Sequence, residues 1–419
     1  MAPHVGPPAL DCRVCLARCS MTDAPYVPGH QLRLLQGGQD YFPALVAAID
    51  TSQTEVRLET YIYAFDAEGE RVAQALERAA LRGVRVALLM DGIGTPQVPP
   101  AWQQRWNAAG VHWLRFAPLG RLGLLVPSHW RRLHRKLAVV DGRVAFCGGI
   151  NILDDYSDPQ HGPQQVARFD FAVQVHGPLV SQVHNAMAQL WDRLLATRQL
   201  EQGQWSAARA VWHSMARLQA PDVSGAQGGA LAALVLRDNV RNRTRIERAY
   251  RKALGTAQRE VLIANAYFLP GGKLLRALVH AARRGVRVRL LLQGRYEYFM
   301  QYHAARPVFG LLLAAGVDIH EYSSGFLHAK VAVVDQQWAT VGSSNLDPLS
   351  LLLAREANVV VQDAAFATEL QQHLEAAMAQ HSRPLDAQDF GRRPWQQRAL
   401  DWLAYGLMRL TLLLAGRRY

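Results

Sequence analysis

The sequence predicts an α/β fold in which two halves follow one plan. Half of the 419 residues are hydrophobic and 19% are charged, the balance of a globular chain with ample cores. An order of strand, helix, strand, helix, strand occurs twice, and such alternation calls for a largely parallel sheet with helices on its faces. A pattern H-x-K-x4-D-x6-G-[GS]-x-N also occurs twice, at 134–151 and at 328–345.

Residues 1–29 form an N-terminal extension. Cys12, Cys15 and Cys19 give a C-x2-C-x3-C run, with His4 a conceivable fourth ligand. No second Cys/His pair at finger spacing accompanies it, so no metal site is assigned. No apolar run there has signal-peptide length, and none is expected to act as one. The first half, 30–220, places a strand at Glu55–Tyr63. A helical stretch, a strand after Arg82-Gly83 and a helix ending at Ala109-Gly110-Val111 follow. Residues 221–230 read as a linker rich in glycine. The second half, 231–383, repeats the plan with Glu260–Phe268, Arg284-Gly285 and Ala315-Gly316-Val317. In the tail, 384–419, Leu400, Leu403, Leu407, Leu410 and Leu414 fall near helical spacing. Asp401 and Arg409 interrupt them, too polar for a membrane span. Two alternatives stand, an interfacial helix flanked by Arg417 and Arg418 or docking onto the protein's own surface.

The repeated motif carries the chemistry. The chain holds 46 basic residues, of which only four are lysines, and two of those are Lys136 and Lys330. A lysine ammonium is compact with rotatable donors, suited to a phosphoryl group that changes shape, whereas arginine offers a rigid fork. His134 and Lys136 are two apart on a strand-like run and share a face, as do His328 and Lys330. Asp141-Gly142 marks a tight turn, and a looser one is expected at Asp335-Gln336-Gln337. Folding back brings Gly149, Asn151, Ser343 and Asn345 beside the motif, as candidate phosphate-binding groups. Asp141 and Asp335 complete the motif and are counted with the catalytic set. The hairpin puts them at its far end, in a structural or orienting role.

These paired motifs resemble the phospholipase D superfamily over roughly residues 30–380. The stretches Ala264–Pro270, Ala339–Ser350 and Glu356–Val359 resemble, more narrowly, bacterial cardiolipin synthases lacking N-terminal membrane spans. The resemblance implies two pseudo-symmetric α-β-α sandwich lobes sharing one active site at their interface. One histidine, His134 by similarity, attacks phosphorus to form a phosphohistidine, and His328 serves as acid and base. Both lysines and both asparagines would stabilise the oxygens, with no metal or cofactor. Asp170 and Glu356 resemble the family's histidine-orienting carboxylates; the alternative is a salt bridge with Arg168 or Arg355.

The implied reaction transfers a phosphatidyl group between two phosphatidylglycerol molecules, yielding cardiolipin and glycerol. Hydrolysis of phospholipid, or phosphodiesterase action on nucleic acid, are the alternatives, and no motif separates transfer from hydrolysis. Nucleic acid is not expected as a partner, because no aromatic platform interleaves the basic residues. The net charge of +12 suits an anionic membrane surface, and peripheral attachment at the cytoplasmic face of a bacterial membrane is implied. The insertion 117–133 fits either a headgroup boundary or a surface loop over a leucine cluster. Arg237, Arg241, Arg243, Arg245, Arg248 and Arg251 fit either phosphate binding or a solvated helix face paired with residues such as Glu247. No sequence feature sets an oligomeric state.

Overall fold

A computed structural model describes residues 24–118, 131–158, 161–206, 228–238, 242–295, 299–347 and 354–414. The first half runs β1 (Val27–Gln36), α1 (Gly37–Asp50), β2 (Glu55–Thr60), α2 (Ala67–Leu81), β3 (Arg85–Asp91), α3 (Pro100–Ala109) and β4 (His112–Phe116). Then come β5 (Arg132–Leu133), β6 (Lys136–Val140), β7 (Val144–Gly148), the short β8 (Ser157–Asp158) and β9 (Gly162–Pro163), β10 (Phe171–His176) and α4 (Leu179–Glu201). The second half runs β11 (Ala230–Arg237), α5 (Arg245–Thr256), β12 (Glu260–Asn265), α6 (Gly272–Arg283), β13 (Arg287–Gln293), α7 (Phe299–Ala314) and β14 (Asp318–Tyr322). It continues with β15 (Lys330–Val334), β16 (Trp338–Gly342), β17 (Ala354–Gln362), α8 (Ala364–His381), β18 (Ser382–Pro384), α9 (Ala387–Gly391) and α10 (Trp395–Leu414).

Seven strands of each half match in order, β4-β3-β2-β6-β7-β10-β1 against β14-β13-β12-β15-β16-β17-β11. β2, β3 and β4 are parallel, as are β12, β13 and β14. The motif hairpins β6–β7 and β15–β16 are antiparallel additions to those parallel sets. Local chemistry explains the repeats. Asp66 caps α2 by accepting from Gly69 N at 3.0 Å. Gly110, at φ 86°, ends α3 in the left-handed region where a side chain would strain the backbone.

The two sandwich lobes are continuous with each other. One sheet runs through both, in the order β18-β14-β13-β12-β15-β16-β17-β11-β1-β10-β7-β6-β2-β3-β4. The seam is the antiparallel pair β1–β11. This seam shifts the expected boundaries: residues 27–29 belong to β1 rather than to an extension, and Ala230 opens β11 rather than closing a linker. Residues 221–227 lie outside the described residues. So do His4, Cys12, Cys15, Cys19, Arg241, residues 348–353 and, within the insertion, residues 119–130.

A shared core explains why the lobes hold together. Leu137, Val139, Cys147, Phe171 and Val173 pack with Val331, Val333, Val341, Ala357 and Val359, all almost fully buried. Val183 and Met187 of α4 and Leu370 and Leu374 of α8 complete this layer. Each lobe keeps its own outer core under its remaining helices. Burying so many branched side chains between the halves makes their docking part of folding, not a later association.

The tail helix α10 docks on α7, with Ala404 and Met408 in the second lobe's core. Among the arginines expected to crowd the start of the second half, Arg251 pairs with Glu247 at 3.2 Å. Arg237 is buried and donates to the Arg243 carbonyl. The Arg251 pair matches the helix-face alternative, whereas Arg237, buried at the end of β11, does not lie on a solvated helix face.

Candidate active site

Each motif hairpin turns through two residues at positive φ: Asp141 (51°) and Gly142 (63°) in the first, Asp335 (54°) and Gln336 (55°) in the second. The second turn is therefore no looser than the first, contrary to expectation; Gln336 occupies the conformation that Gly142 adopts freely. What holds both turns is the motif aspartate. Asp141 accepts from the backbone N of Gln53, Thr54 and Glu55 at 2.8–2.9 Å. Asp335 accepts from Gln258, Arg259 and Glu260, each at 2.8 Å. Burial pushes each carboxyl up, but these donors outweigh it and hold both below the ordinary value.

Neither aspartate reaches the histidines, which removes both from the catalytic set. Each instead ties its hairpin to the loop entering β2 or β12. Asp141→Asn, which tolerates the positive φ but loses the charge, is expected to cost about 1 kcal/mol of stability. Turnover per folded molecule should stay unchanged, as denaturant midpoints and rates on soluble fractions would show. The contribution is present above the unfolded carboxylate pKa and disappears as pH falls through the lowered folded value.

At the other end of the hairpins, the halves exchange partners. His134 precedes β6, and its backbone N donates to Arg355 O of β17 at 3.0 Å. His328 N donates to Phe169 O, just before β10, at 2.9 Å. The side chains cross in the same way. His134 Nδ1 lies 3.0 Å from Glu356 Oε1, and His328 Nδ1 lies 2.6 Å from Asp170 Oδ2. Each carboxylate thus orients the histidine of the opposite lobe. Asp170 sits immediately before β10 rather than within a strand. The alternative ion pairs do not form: Arg168 pairs with Asp158, and Arg355 lies over the Phe116 ring.

With Nδ1 against a carboxylate, a neutral imidazole carries its proton there and keeps a lone pair on Nε2. Both carboxylates and both lysines are buried, while the histidine side chains retain 15% and 19% exposure. The imidazoles are therefore the part of each cluster that solvent meets. Lys136 Nζ donates to His134 O at 2.9 Å, and Lys330 Nζ donates to His328 O.

Electrostatics couples the two clusters. Burial lowers the pKa of His134; Glu356 opposes this, while Lys136 and Lys330 add to it. Burial, Lys330 and Lys136 hold His328 well below its ordinary value. Lys136 is brought down to about 7, by burial and then by Lys330 against the pull of Glu356. Burial raises Asp170 against Lys330 and Lys136, whereas Glu356 is lowered because His134, Lys136 and Ser343 outweigh its burial. Each ammonium is thus felt by both imidazoles. For the Asp170–His328 pair, burial beside two ammoniums keeps the imidazole neutral.

Two expected phosphate ligands serve the carboxylates instead. Ser343 Oγ donates to Glu356 Oε2 at 2.5 Å, and its backbone N is used by Ala357 O. Gly149 N is used by Phe171 O, and a Cβ at Gly149 would meet Asp170 Oδ1 at 2.2 Å. Gly149 is small to admit Asp170, and Ser343 fixes Glu356. Asn151 Oδ1 accepts from Ile62 N at 3.1 Å, which leaves its amide NH2 as the donor end. Asn345 is buried next to Leu346, whose N donates to Asn265 Oδ1.

Tyr61 escaped the sequence reading. Its ring centroid lies 5.0 Å from the His134 ring and 5.4 Å from Lys136 Nζ. Setting Glu55–Tyr63 against Glu260–Phe268 would have flagged it, because Ala266 stands at the matching position. Among the described residues, no group of three or more His, Cys, Asp or Glu is arranged to hold a metal ion.

Comparison with known proteins identifies the family. The family description "Cardiolipin synthase, PLD-like domain" matches residues 45–191 and 250–378, one stretch per lobe. The chain is 39% identical to cardiolipin synthase B of Shigella flexneri and of Escherichia coli (strain K12), over 93% of this chain and 90% of theirs. It is 31% identical to cardiolipin synthase of Geobacillus thermodenitrificans, over 88% of this chain and 70% of that one. The crystal structure of phosphatidylserine synthase from Haemophilus influenzae superposes with a TM-score of 0.67 at 13% identity, covering 95% of this chain and 98% of that one. That likeness concerns the fold alone. With both lobes matched and the cardiolipin synthase B relatives aligned nearly end to end, the chain belongs to the cardiolipin synthase family of phospholipase D-like phosphatidyltransferases.

Proposed function

We propose that this enzyme moves a phosphatidyl group from one phosphatidylglycerol to another through a phosphohistidine, releasing glycerol and forming cardiolipin. The crossed histidine–carboxylate pairs beneath two shared ammoniums carry this reading. The negative charge of the bound phosphodiester lets His328 take up a proton at Nε2; Nε2 of His134 then attacks phosphorus, the bond to the glycerol oxygen breaks, and His328 passes its proton to that oxygen. In the second half-reaction His328 takes the proton from a hydroxyl of the incoming phosphatidylglycerol. That oxygen bonds to phosphorus as the N–P bond breaks. Lys136, Lys330, Asn151 and Asn345 donate to the non-bridging oxygens.

On this reading the protein works peripherally at the cytoplasmic face of the bacterial cell membrane. No helix among the described residues is long and apolar enough to cross a membrane. The deciding experiment incubates purified protein with phosphatidylglycerol vesicles and resolves the products. Cardiolipin plus glycerol supports transfer; phosphatidic acid alone assigns hydrolysis; cleavage of DNA without lipid turnover overturns both.

The Lys136 shift adds a pH dependence. As pH rises through about 7, the free enzyme's Lys136 loses its proton and its pull on the substrate's anionic oxygens. We expect kcat/KM to decline above that pH, while kcat persists further, because bound phosphodiester raises the lysine's proton affinity. Lys136→Arg should remove the alkaline decline and lower kcat, as rate profiles in mixed micelles would reveal.

A further inference from the structure

Helix α10 holds to the body by its polar side and turns its apolar side outward. Asp401 is 2% exposed; it accepts from His303 of α7 at 2.7 Å and from Arg393 at 2.8 Å. Ala404 and Met408, on the same side, complete the seat. The opposite side shows Trp395 at 74% exposure, Trp402 at 54%, Leu403 at 69%, Leu407 at 49% and Leu410 at 51%. A helix that merely covers its own protein buries such a stripe and sends its charges to water. Here the arrangement is inverted. Single exposed leucines are ordinary, but a run of five large apolar residues along one helix marks a contact surface.

Charge names the occupant. Asp401 is the only acidic residue in the sequence Trp395–Leu414. Arg392, Arg398 and Arg409 are exposed beside the stripe. On the helix itself the outward surface is thus apolar with a cationic border and tryptophans along it, the composition that lies in a headgroup layer bearing negative charge. A second copy of the chain would set that cationic border against itself. The net charge of +12 adds attraction at longer range. The helix also adjoins the catalytic lobe, for Met408 lines a cavity with Phe268, Leu269, Phe309 and Asp347, two residues beyond Asn345 of the second motif.

We propose that α10 is the membrane seat: it lies along an anionic phospholipid surface, with Trp395, Trp402, Leu403, Leu407 and Leu410 reaching the acyl boundary. This deepens the reading of a phospholipid substrate and rests on it for its purpose, though binding is measurable without turnover. The test is flotation of the full chain with phosphatidylglycerol/phosphatidylcholine vesicles, comparing wild type with Leu403→Glu/Leu407→Glu. Both positions are exposed, so the double variant should fold, which a thermal melt checks. Wild type should float, and the variant's vesicle affinity should drop by about tenfold or more. The variant should keep its turnover of detergent-dispersed phosphatidylglycerol. Equal flotation of both proteins, or flotation of neither, overturns the proposal. A variant that loses only self-association, with flotation intact, overturns it in favour of a second copy. Vesicle binding that depends on the stripe, with no lipid turnover in either format, upholds the seat and sinks the substrate reading instead.

Discussion

Alanine at His134 or at His328 is expected to lower turnover of phosphatidylglycerol by about 10⁴-fold to 10⁶-fold, with each single loss nearly as severe as both together. The reason is that the two imidazoles act on one phosphorus in sequence, so neither half-reaction survives the loss of its partner. Both side chains are only partly buried, and their loss should leave the fold intact by thermal melt. The same variants assign the order of attack. If His134 is the nucleophile, His328→Ala should still accumulate a trace of acid-labile phosphohistidine at 134, and His134→Ala none at 328. Labelled lipid and peptide mapping would read this directly, and the opposite pattern reverses the roles. Near-normal turnover in either variant would end the single-site mechanism.

The second large effect concerns the carboxylates, and it should appear across the lobe interface. Asp170→Asn is expected to reduce kcat by about 10²-fold to 10⁴-fold, because an amide can hold the imidazole in the wrong tautomer. Its target is His328, the histidine of the other half. Glu356→Gln should act likewise on His134. Ser343→Ala, which only removes the hydroxyl fixing Glu356, should cost much less. Combining Ser343→Ala with Glu356→Gln should cost little beyond Glu356→Gln alone, since the serine works through that carboxylate. Additive losses would return Ser343 to direct phosphate binding. KM should change less than kcat throughout, because none of the three side chains is placed to bind lipid.

Much of this was legible in the chain. Repetition of His134-x-Lys136 at His328-x-Lys330, with matching strands and helices around each, located the hairpins and the order of elements. Period-two alternation reports which face a side chain shares, and that sufficed to group each histidine with its lysine. It carries no information about which lobe a face will meet. The pairing of His134 with Glu356 spans 222 positions and that of His328 with Asp170 spans 158, so both are set by how the lobes dock. Gly149 and Ser343 read as phosphate ligands for a different reason: the carboxylates they support, Asp170 and Glu356, lie beside them on the neighbouring chain segment of the same lobe, a pairing the motif spacing does not report. The seam at β1 and β11 was equally hidden, because edge strands at the ends of two repeats look like termini until they find each other. In the tail, the leucine spacing disclosed a helix, but only the contacts of Asp401 reveal which side faces inward.

The exchange of carboxylates has a consequence for biosynthesis. A ribosome that has made the first half has already produced His134, yet the group that sets its tautomer is encoded more than two hundred codons later. A partial product therefore carries a histidine without its orienting acid, and cannot turn on the lipids around it. Competence for chemistry arrives only when the whole polypeptide has closed upon itself, so completion of folding is also the switch that arms the enzyme.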